Sequence, residues 1–367
     1  MKDIPKNPSK NQIIIFILFL VSLLFFMLTK FFPFKEGKTT YNEMLNASKI
    51  MLDAMRAIKE CQKEKGILIN KKIDLNQTGL IGVKYSSITT TIGNLEAKRT
   101  TTNPNFAGLI VFLLKETGVK NGDTIAVGAS GSFPALVLAV VSASKALNLK
   151  TLLIFSVGAS QWGANNPDFN LLDIFDCLFK KGIFSIKPIA VSIGGEKDIG
   201  VDMTPQDRDL IMEKIRERDI YFIYEPDLRK NVKIRMNLYR KNAGRSKIKA
   251  FINIGGNWAN IGEDPEILKL KPGIVRIKKF PPVEKRGVIY EMALNKIPVI
   301  HLLYIKGLIE KYELPWDPIP LPEPGRGGIY QIVRIKQPSF LIITIVYLLS
   351  TILILIFRDK LNSIKIK

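Results

Sequence analysis

GDTIAVGASGSFPALVLAVVSASKALNLKTLLIFSVGASQWG, residues Gly122–Gly163, decides the fold. Thr124 to Val127 and Thr151 to Val157 are short apolar runs, and between them Pro134 to Leu147 is apolar at helical spacing without a glycine. The pattern reads as strand, helix, strand, the βαβ unit of a parallel sheet. Both strands close on the same residues, Val127-Gly128-Ala129-Ser130 and Val157-Gly158-Ala159-Ser160, 30 residues apart. That spacing is one βαβ unit, so both loops leave the sheet at the carboxyl ends of its strands, where open α/β sheets hold ligands. Gly128 and Gly131 allow a ligand close to the main chain. Ser130 and Ser132 offer hydroxyls, and the start of the next helix favours an anion. The competing reading is that small residues only permit tight strand-to-helix packing.

Outward from this unit the pattern continues. Towards the N-terminus, Tyr41 to Lys65 is an amphipathic helix, with Met44, Met51, Met55 and Ile58 at the 3.6 period. Val83 to Asn105 is dense in Ser and Thr and carries Lys98 and Arg99; two adjacent cations among hydroxyls suit a carboxylate or phosphate, and a solvated β-hairpin is the alternative. Towards the C-terminus, Ile189 to Ile193, Ile220 to Tyr224, Ala250 to Ile254 and Ile297 to Leu302 read as strands, and Thr204 to Arg218, Leu228 to Ala243 and Val283 to Asn295 as helices. The strand ending at Ile254 runs into Gly255-Gly256-Asn257, a further small-residue loop.

Composition narrows the partners. The 367 residues carry 54 Lys and Arg against 33 Asp and Glu, a net charge of +21. Such a balance calls for a polyanion or an anionic membrane surface. Nucleic acid is disfavoured, since no aromatic-basic stacking motif and no zinc-finger spacing occurs. One histidine, His301, and two distant cysteines, Cys61 and Cys177, make no metal site and no redox pair, so no metal and no cofactor is expected. Two unpaired buried thiols are favoured over a long-range disulfide, which would require an exported domain.

Two charge-free apolar runs, Ile13 to Thr29 and Phe340 to Phe357, read as membrane helices. The expected organisation is a basic tail at 1–12, a transmembrane helix at 13–32, an α/β domain at 36–313, a Pro/Gly-rich linker at 314–338, a transmembrane helix at 339–357 and a basic tail at 358–367. The fold class is α/β: a three-layer domain on a mostly parallel sheet between two spans. A slight excess of basic residues in the tails would place the domain outside the cytoplasm of a two-span membrane protein.

Four runs together carry a resemblance: YSSITTTIGNLEAKRTTTNPNF (Tyr85 to Phe106), VGASGSFPAL (Val127 to Leu136), SVGASQWGANNPDF (Ser156 to Phe169) and INIGGNWANIG (Ile252 to Gly262). They resemble the poly-gamma-glutamate system protein family over roughly Tyr41 to Gly328. The resemblance implies a membrane-anchored component of the bacterial machinery that makes or exports poly-gamma-glutamate, a capsule polymer. Its implied partners are the polymer or a glutamate-derived anion and other membrane subunits of that machinery. It assigns no catalytic residue.

Three mechanisms follow. In the first, the sheet edge binds the anion through Lys98, Arg99, Gly128, Gly131, Ser132, Ser160, Gln161, Gly255, Gly256 and Asn257. In the second, the domain is a serine-dependent amide hydrolase or transferase. Gly128-Ala129-Ser130-Gly131-Ser132 approaches the G-x-S-x-G nucleophile elbow, which makes Ser130 the nucleophile, His301 the base and Asp264 or Asp198 its orienting acid. Ser160 competes for the nucleophile's role. In the third, the chain is a non-catalytic scaffold for synthase subunits.

Overall fold

The computed structural model describes residues 10–31, 35–335 and 338–357; residues 1–9 of the tail expected at 1–12, and the whole tail expected at 358–367, lie outside the described residues, while residues 10–12 are helical. The chain forms two compact units, residues 42–330 and residues 1–41 with 331–367.

The larger unit is built on one sheet of seven strands: β1 (Thr124–Ser130), β2 (Lys150–Ser156), β3 (Ala190–Ser192), β4 (Tyr221–Ile223), β5 (Ile248–Ile254), β6 (Gly273–Val275) and β7 (Val299–Leu302). Their order across the sheet is β4-β3-β2-β1-β5-β7-β6. All pairs are parallel except β6 with β7. The expected βαβ unit is present, with α5 (Pro134–Ala146) joining β1 to β2. The chain first winds outward from β1 to β4, then returns to lay β5 on the other side of β1. That reversal opens a crevice at the carboxyl ends of β1 and β5, the usual ligand position in such sheets.

Both faces of the sheet are covered. On one face Ala126, Leu152, Ile154 and Phe251 pack against Val232, Met236 and Tyr239 of α8 (Leu228–Ala243) and Val288, Ile289 and Met292 of α10 (Val288–Leu294). On the other, Phe155 stacks on Phe175 of α6 (Leu171–Lys180), with centroids 5.4 Å apart. β1 is buried along its whole length, which is why it reads as a continuous apolar run without alternation.

Several expectations need correction. Val83 to Asn105 forms no hairpin: Asn94 caps a short helix, α3 (Leu95–Thr101), by accepting from Ala97 N at 2.7 Å. The helix expected over Val283 to Asn295 is broken at Arg286-Gly287 into a 3-10 turn, Val283–Lys285, and α10. Cys61 of α2 (Lys35–Glu64) and Cys177 of α6 are not free thiols but a disulfide, with Cα atoms 6.2 Å apart. Leu314 to Gly327 is irregular, yet it is no free linker. Asp317 is ion-paired to Arg99, Pro318 O accepts from Asn76 at 2.9 Å, and Glu323 O accepts from Asn105 at 3.0 Å.

In the smaller unit, α1 (Lys10–Phe31) holds an 18-residue window, Asn11–Leu28, of mean hydropathy 2.6, long and apolar enough to cross a membrane. The apolar stretch of α13 (Pro338–Ile356) is shorter, Leu341–Ile356. The two helices touch: Ser22 Oγ and Tyr347 OH are 2.9 Å apart, and Phe25 lies against the Tyr347 ring.

Candidate functional site

A cavity of about 900 Å³ opens at the carboxyl edge of the sheet. Its floor is the end of β1 and the loop that follows (Ser130, Ser132, Phe133) with the loop after β2 (Gly158, Ser160); its walls are Thr90 to Asn94, Ala97, Lys98, the Gly195, Glu196 and Asp202 corner, Gly256 to Trp258, Leu303 to Lys306 and Trp316. The repeated Val-Gly-Ala-Ser thus does bring two loops side by side. They lock together through the main chain: Gly131 N donates to Ser156 O at 2.9 Å and Ala164 N donates to Gly131 O at 2.8 Å. This contact requires Gly131, since a Cβ there would sit 2.5 Å from Val157 O. Gly255, at φ +76°, lies against Ser130 Oγ, and a Cβ would come within 2.6 Å of that oxygen.

Lys98 reaches into this floor from α3. Its side chain is buried at 3 % exposure. Nζ donates to Ser160 Oγ at 2.8 Å and to the Ser132 carbonyl, and it stands 3.6 Å from the centroid of the Phe133 ring. Both hydrogen-bond partners are neutral. Burial without a carboxylate disfavours the ammonium and pushes Lys98 down to about 7. Ser132 also accepts from the Ser160 backbone N–H through its hydroxyl at 3.0 Å, so one residue fixes both members of the pair. Ser130 is buried beside them, and its Oγ has no hydrogen-bond partner among the described residues.

The other expected residues divide. Lys98, Ser130, Ser132, Ser160, Gly256 and Asn257 line the cavity. Arg99 does not: it points away into a two-pronged ion pair with Asp317, Nε to Oδ1 at 2.8 Å and Nη2 to Oδ2. Gly128 lies inside β1 under the Asn260 side chain, in the packing role that small residues also fill. Gln161 braces the wall, with its N donating to Thr91 O at 2.9 Å and its Oε1 accepting from Gly93 N at 3.3 Å.

The Ser130–His301 pair is not assembled. His301 is on β7, in register with Asn253 of β5, which is in register with Gly128 of β1. That puts it two strands away from β1 and level with Gly128, below the sheet edge where Ser130 lies. Its Nδ1 is 3.1 Å from Asn253 Nδ2, and burial pushes the imidazole down to about 4. Neither suggested acid serves it. Asp264 accepts from Tyr290 OH at 2.9 Å and caps the turn Pro265–Lys269. Asp198 is the hub of a buried network, accepting from Arg235 at 2.6 Å, Ser192 at 2.8 Å, Asn231 at 3.2 Å and Asn257 at 2.8 Å. Through Asn257 this network fixes one cavity wall.

The sequence reading missed Phe133, Trp258, Tyr304, Lys306 and Trp316 as cavity residues. Aromatic side chains directly beside the glycine-serine loops, Phe133 after Ser132 and Trp258 after Asn257, were the available signal. Comparison with protein-family models, curated proteins and solved structures finds no match.

Proposed function

We propose that the chain is a membrane-anchored component of a poly-gamma-glutamate synthesis or export system, and that its larger unit takes hold of the anionic polymer or a glutamate-derived precursor at the cavity on the sheet edge. One observation carries this reading: the placement of the charge. Residues 227–300 hold seventeen Lys and Arg against six Asp and Glu, a net +11, whereas residues 42–226 hold twenty-two against twenty, a net +2. About half of the excess charge thus falls in the segment that also supplies the Gly256 to Trp258 wall of the cavity.

Of those seventeen side chains only Arg235 and Arg286 are not exposed. Among the described residues, Lys269 is the one exposed member of the set in an ion pair with a carboxylate. Exposed cations concentrated in one segment of the chain and largely free of carboxylate partners create a field that gathers a polyanion and weakens with salt. A polymer with one carboxylate per unit fits such a surface. Arg99 no longer belongs to the ligand set, because Asp317 already neutralises it; Lys306 on the cavity rim is the exposed cation there.

Two further features support an anchored, exported domain. α13 packs along α1 through Ser22 and Tyr347, and we take both as membrane spans. The Cys61–Cys177 disulfide suits an oxidising compartment and so supports a domain outside the cytoplasm. The test is retention of poly-gamma-glutamate by the full-length protein in detergent at low and high salt. Retention that falls steeply with salt is expected; no retention, or retention indifferent to salt, overturns the reading.

A further inference from the structure

We infer that Lys98 and Ser160 form a base–nucleophile pair, and that the cavity carries out acyl transfer on an amide carbonyl with Ser160 as the attacking group. The inference deepens the function proposed above, on which the choice of an anionic amide chain as substrate rests; the pair itself rests on geometry alone.

The first observation is the contact. Lys98 Nζ and Ser160 Oγ are 2.8 Å apart, within the reach that proton transfer needs. Ser–Lys pairs are a known variant of the Ser–His arrangement, because a lysine held neutral can do the imidazole's work. The second is the absence of a counter-ion among the described residues: Nζ bonds a hydroxyl and a carbonyl and faces an aromatic ring, so no carboxylate offsets the cost of burying its charge. A lysine placed only to bind a carboxylate would gain from an exposed Nζ, whereas this one is buried at the bottom of the cavity. The third is position. Ser160 lies on the cavity floor at the carboxyl edge, in the same cavity as Ser130, whose buried Oγ has no hydrogen-bond partner among the described residues. Ser130 and His301 lack the first of these relations, because His301 lies two strands away from β1.

The step balances as follows. Neutral Lys98 takes the Ser160 hydroxyl proton as Oγ bonds to the carbonyl carbon. The carbonyl π pair moves onto oxygen, then returns and expels the amide nitrogen, which receives the proton from the Lys98 ammonium. The acyl–Ser160 ester is opened by water, or by a second amine, whose proton passes to Lys98 and on to Ser160 Oγ as the ester bond breaks. Water or an amine is the only co-reactant. Ser132, which holds both partners through its carbonyl and hydroxyl, is a positioning residue.

The test uses the full-length protein in detergent and two probes. An alkyl fluorophosphonate reports the nucleophile without any polymer: Ser160 Oγ displaces fluoride from phosphorus, and peptide mapping identifies the modified residue. Modification at Ser160, with a rate rising through neutral pH, is expected. Lys98→Arg keeps a long basic side chain but removes the base, because a guanidinium stays protonated, and is expected to slow labelling about 10²- to 10⁴-fold. A wild-type protein that leaves Ser160 unmodified, or a Lys98→Arg variant that labels at the wild-type rate, overturns the pair. Incubation with poly-gamma-glutamate, followed by polymer length and free amino ends, then tests the substrate. Shortening lost in Ser160→Ala supports it. Labelling at Ser160 without shortening overturns the polymer as substrate and leaves the pair standing, so the two failures are distinguishable.

Discussion

Lys98 on α3 and Ser160 after β2 meet at 2.8 Å although 62 residues separate them in the chain. The meeting depends on two local facts. Asn94 stops the chain and starts α3, so that Lys98 points inward and Arg99 outward. The repeat of the β1 loop after β2 brings Ser132 to Ser160. A charged pair of neighbours in the sequence thus becomes two side chains with opposite tasks, one desolvated in the cavity and one locked in an ion pair.

The desolvated lysine leaves a mark on stability. In the folded chain burial pushes Lys98 down to about 7, from an ordinary 10.5. Between those values the unfolded chain holds a proton that the folded chain has lost. Stability therefore rises with pH across that window, by up to about 1.4 kcal/mol per pH unit, and the contribution flattens below 7, where both states are protonated. Lys98→Met has no such slope. Denaturant unfolding at pH 7 to 10 is expected to show the wild type gaining on the variant as pH rises; parallel curves would mean that Lys98 stays charged in the fold.

How far the sequence carried this picture differs between parts. The βαβ unit was legible because β1 and β2 are buried on both faces and so read as apolar runs, and because the loops repeat. β6 was not, since it is three residues long and antiparallel to the edge of the sheet. Within the site, Ser130, Ser132, Ser160 and Asn257 were legible as polar residues at strand ends, and Lys98 as a cation in a stretch dense in hydroxyls. The partnership of Lys98 with Ser160 was not, because it depends on how a seven-residue helix is turned. His301 drew weight as the only histidine, yet strand register decides its place, and periodicity says nothing of register between β5 and β7. Arg99 was misread because its partner, Asp317, sits in a Pro/Gly stretch that composition marks as a linker.

That stretch gives the next prediction. Asp317 fixes its own position twice, through Arg99 and through its N–H to Thr100 Oγ1 at 2.9 Å, and so holds Trp316 in the cavity wall. The ion pair is largely buried, with side chains 13 % and 14 % exposed. Asp317→Ala leaves Arg99 without its acceptor and is expected to cost about 2–4 kcal/mol. It should also free Trp316, which the indole emission would report as a red shift. A variant with unchanged stability and unchanged emission would show that the stretch is not held by this pair.

The disulfide closes a long loop, since Cys61 and Cys177 are 116 residues apart. Loop-closure entropy of that order removes about 4–5 kcal/mol of stability when the bond is opened, with strain and residual structure reducing the figure. Dithiothreitol is expected to lower the denaturant midpoint of the wild type and to leave a Cys61→Ser/Cys177→Ser double variant unchanged. Equal midpoints with and without reductant, after mass analysis has shown that the thiols are released, would remove the bond from the domain's stability and with it the argument for an oxidising compartment.

The basic segment supplies the last prediction. On α8 the buried positions Val232, Arg235, Met236 and Tyr239 face the sheet, while Arg229, Lys230, Lys233 and Arg240 are exposed. Changing those four to Glu leaves the apolar face intact, so each should alter stability by no more than about 0.5 kcal/mol. The net charge of residues 227–300 would instead fall by eight, from +11 to +3, and the cations that remain are spread over other segments. Retention of poly-gamma-glutamate at low salt is expected to fall at least tenfold, and its dependence on salt to flatten. Four exposed lysines from the near-neutral part of the unit, Lys59, Lys63, Lys71 and Lys72, are the control, since changing them to Glu alters the net charge of the protein by the same amount. If local field gathers the polymer, the control retains most of its binding. Equal loss in both sets would mean that net charge alone attracts the polymer and that α8 has no special part in holding it.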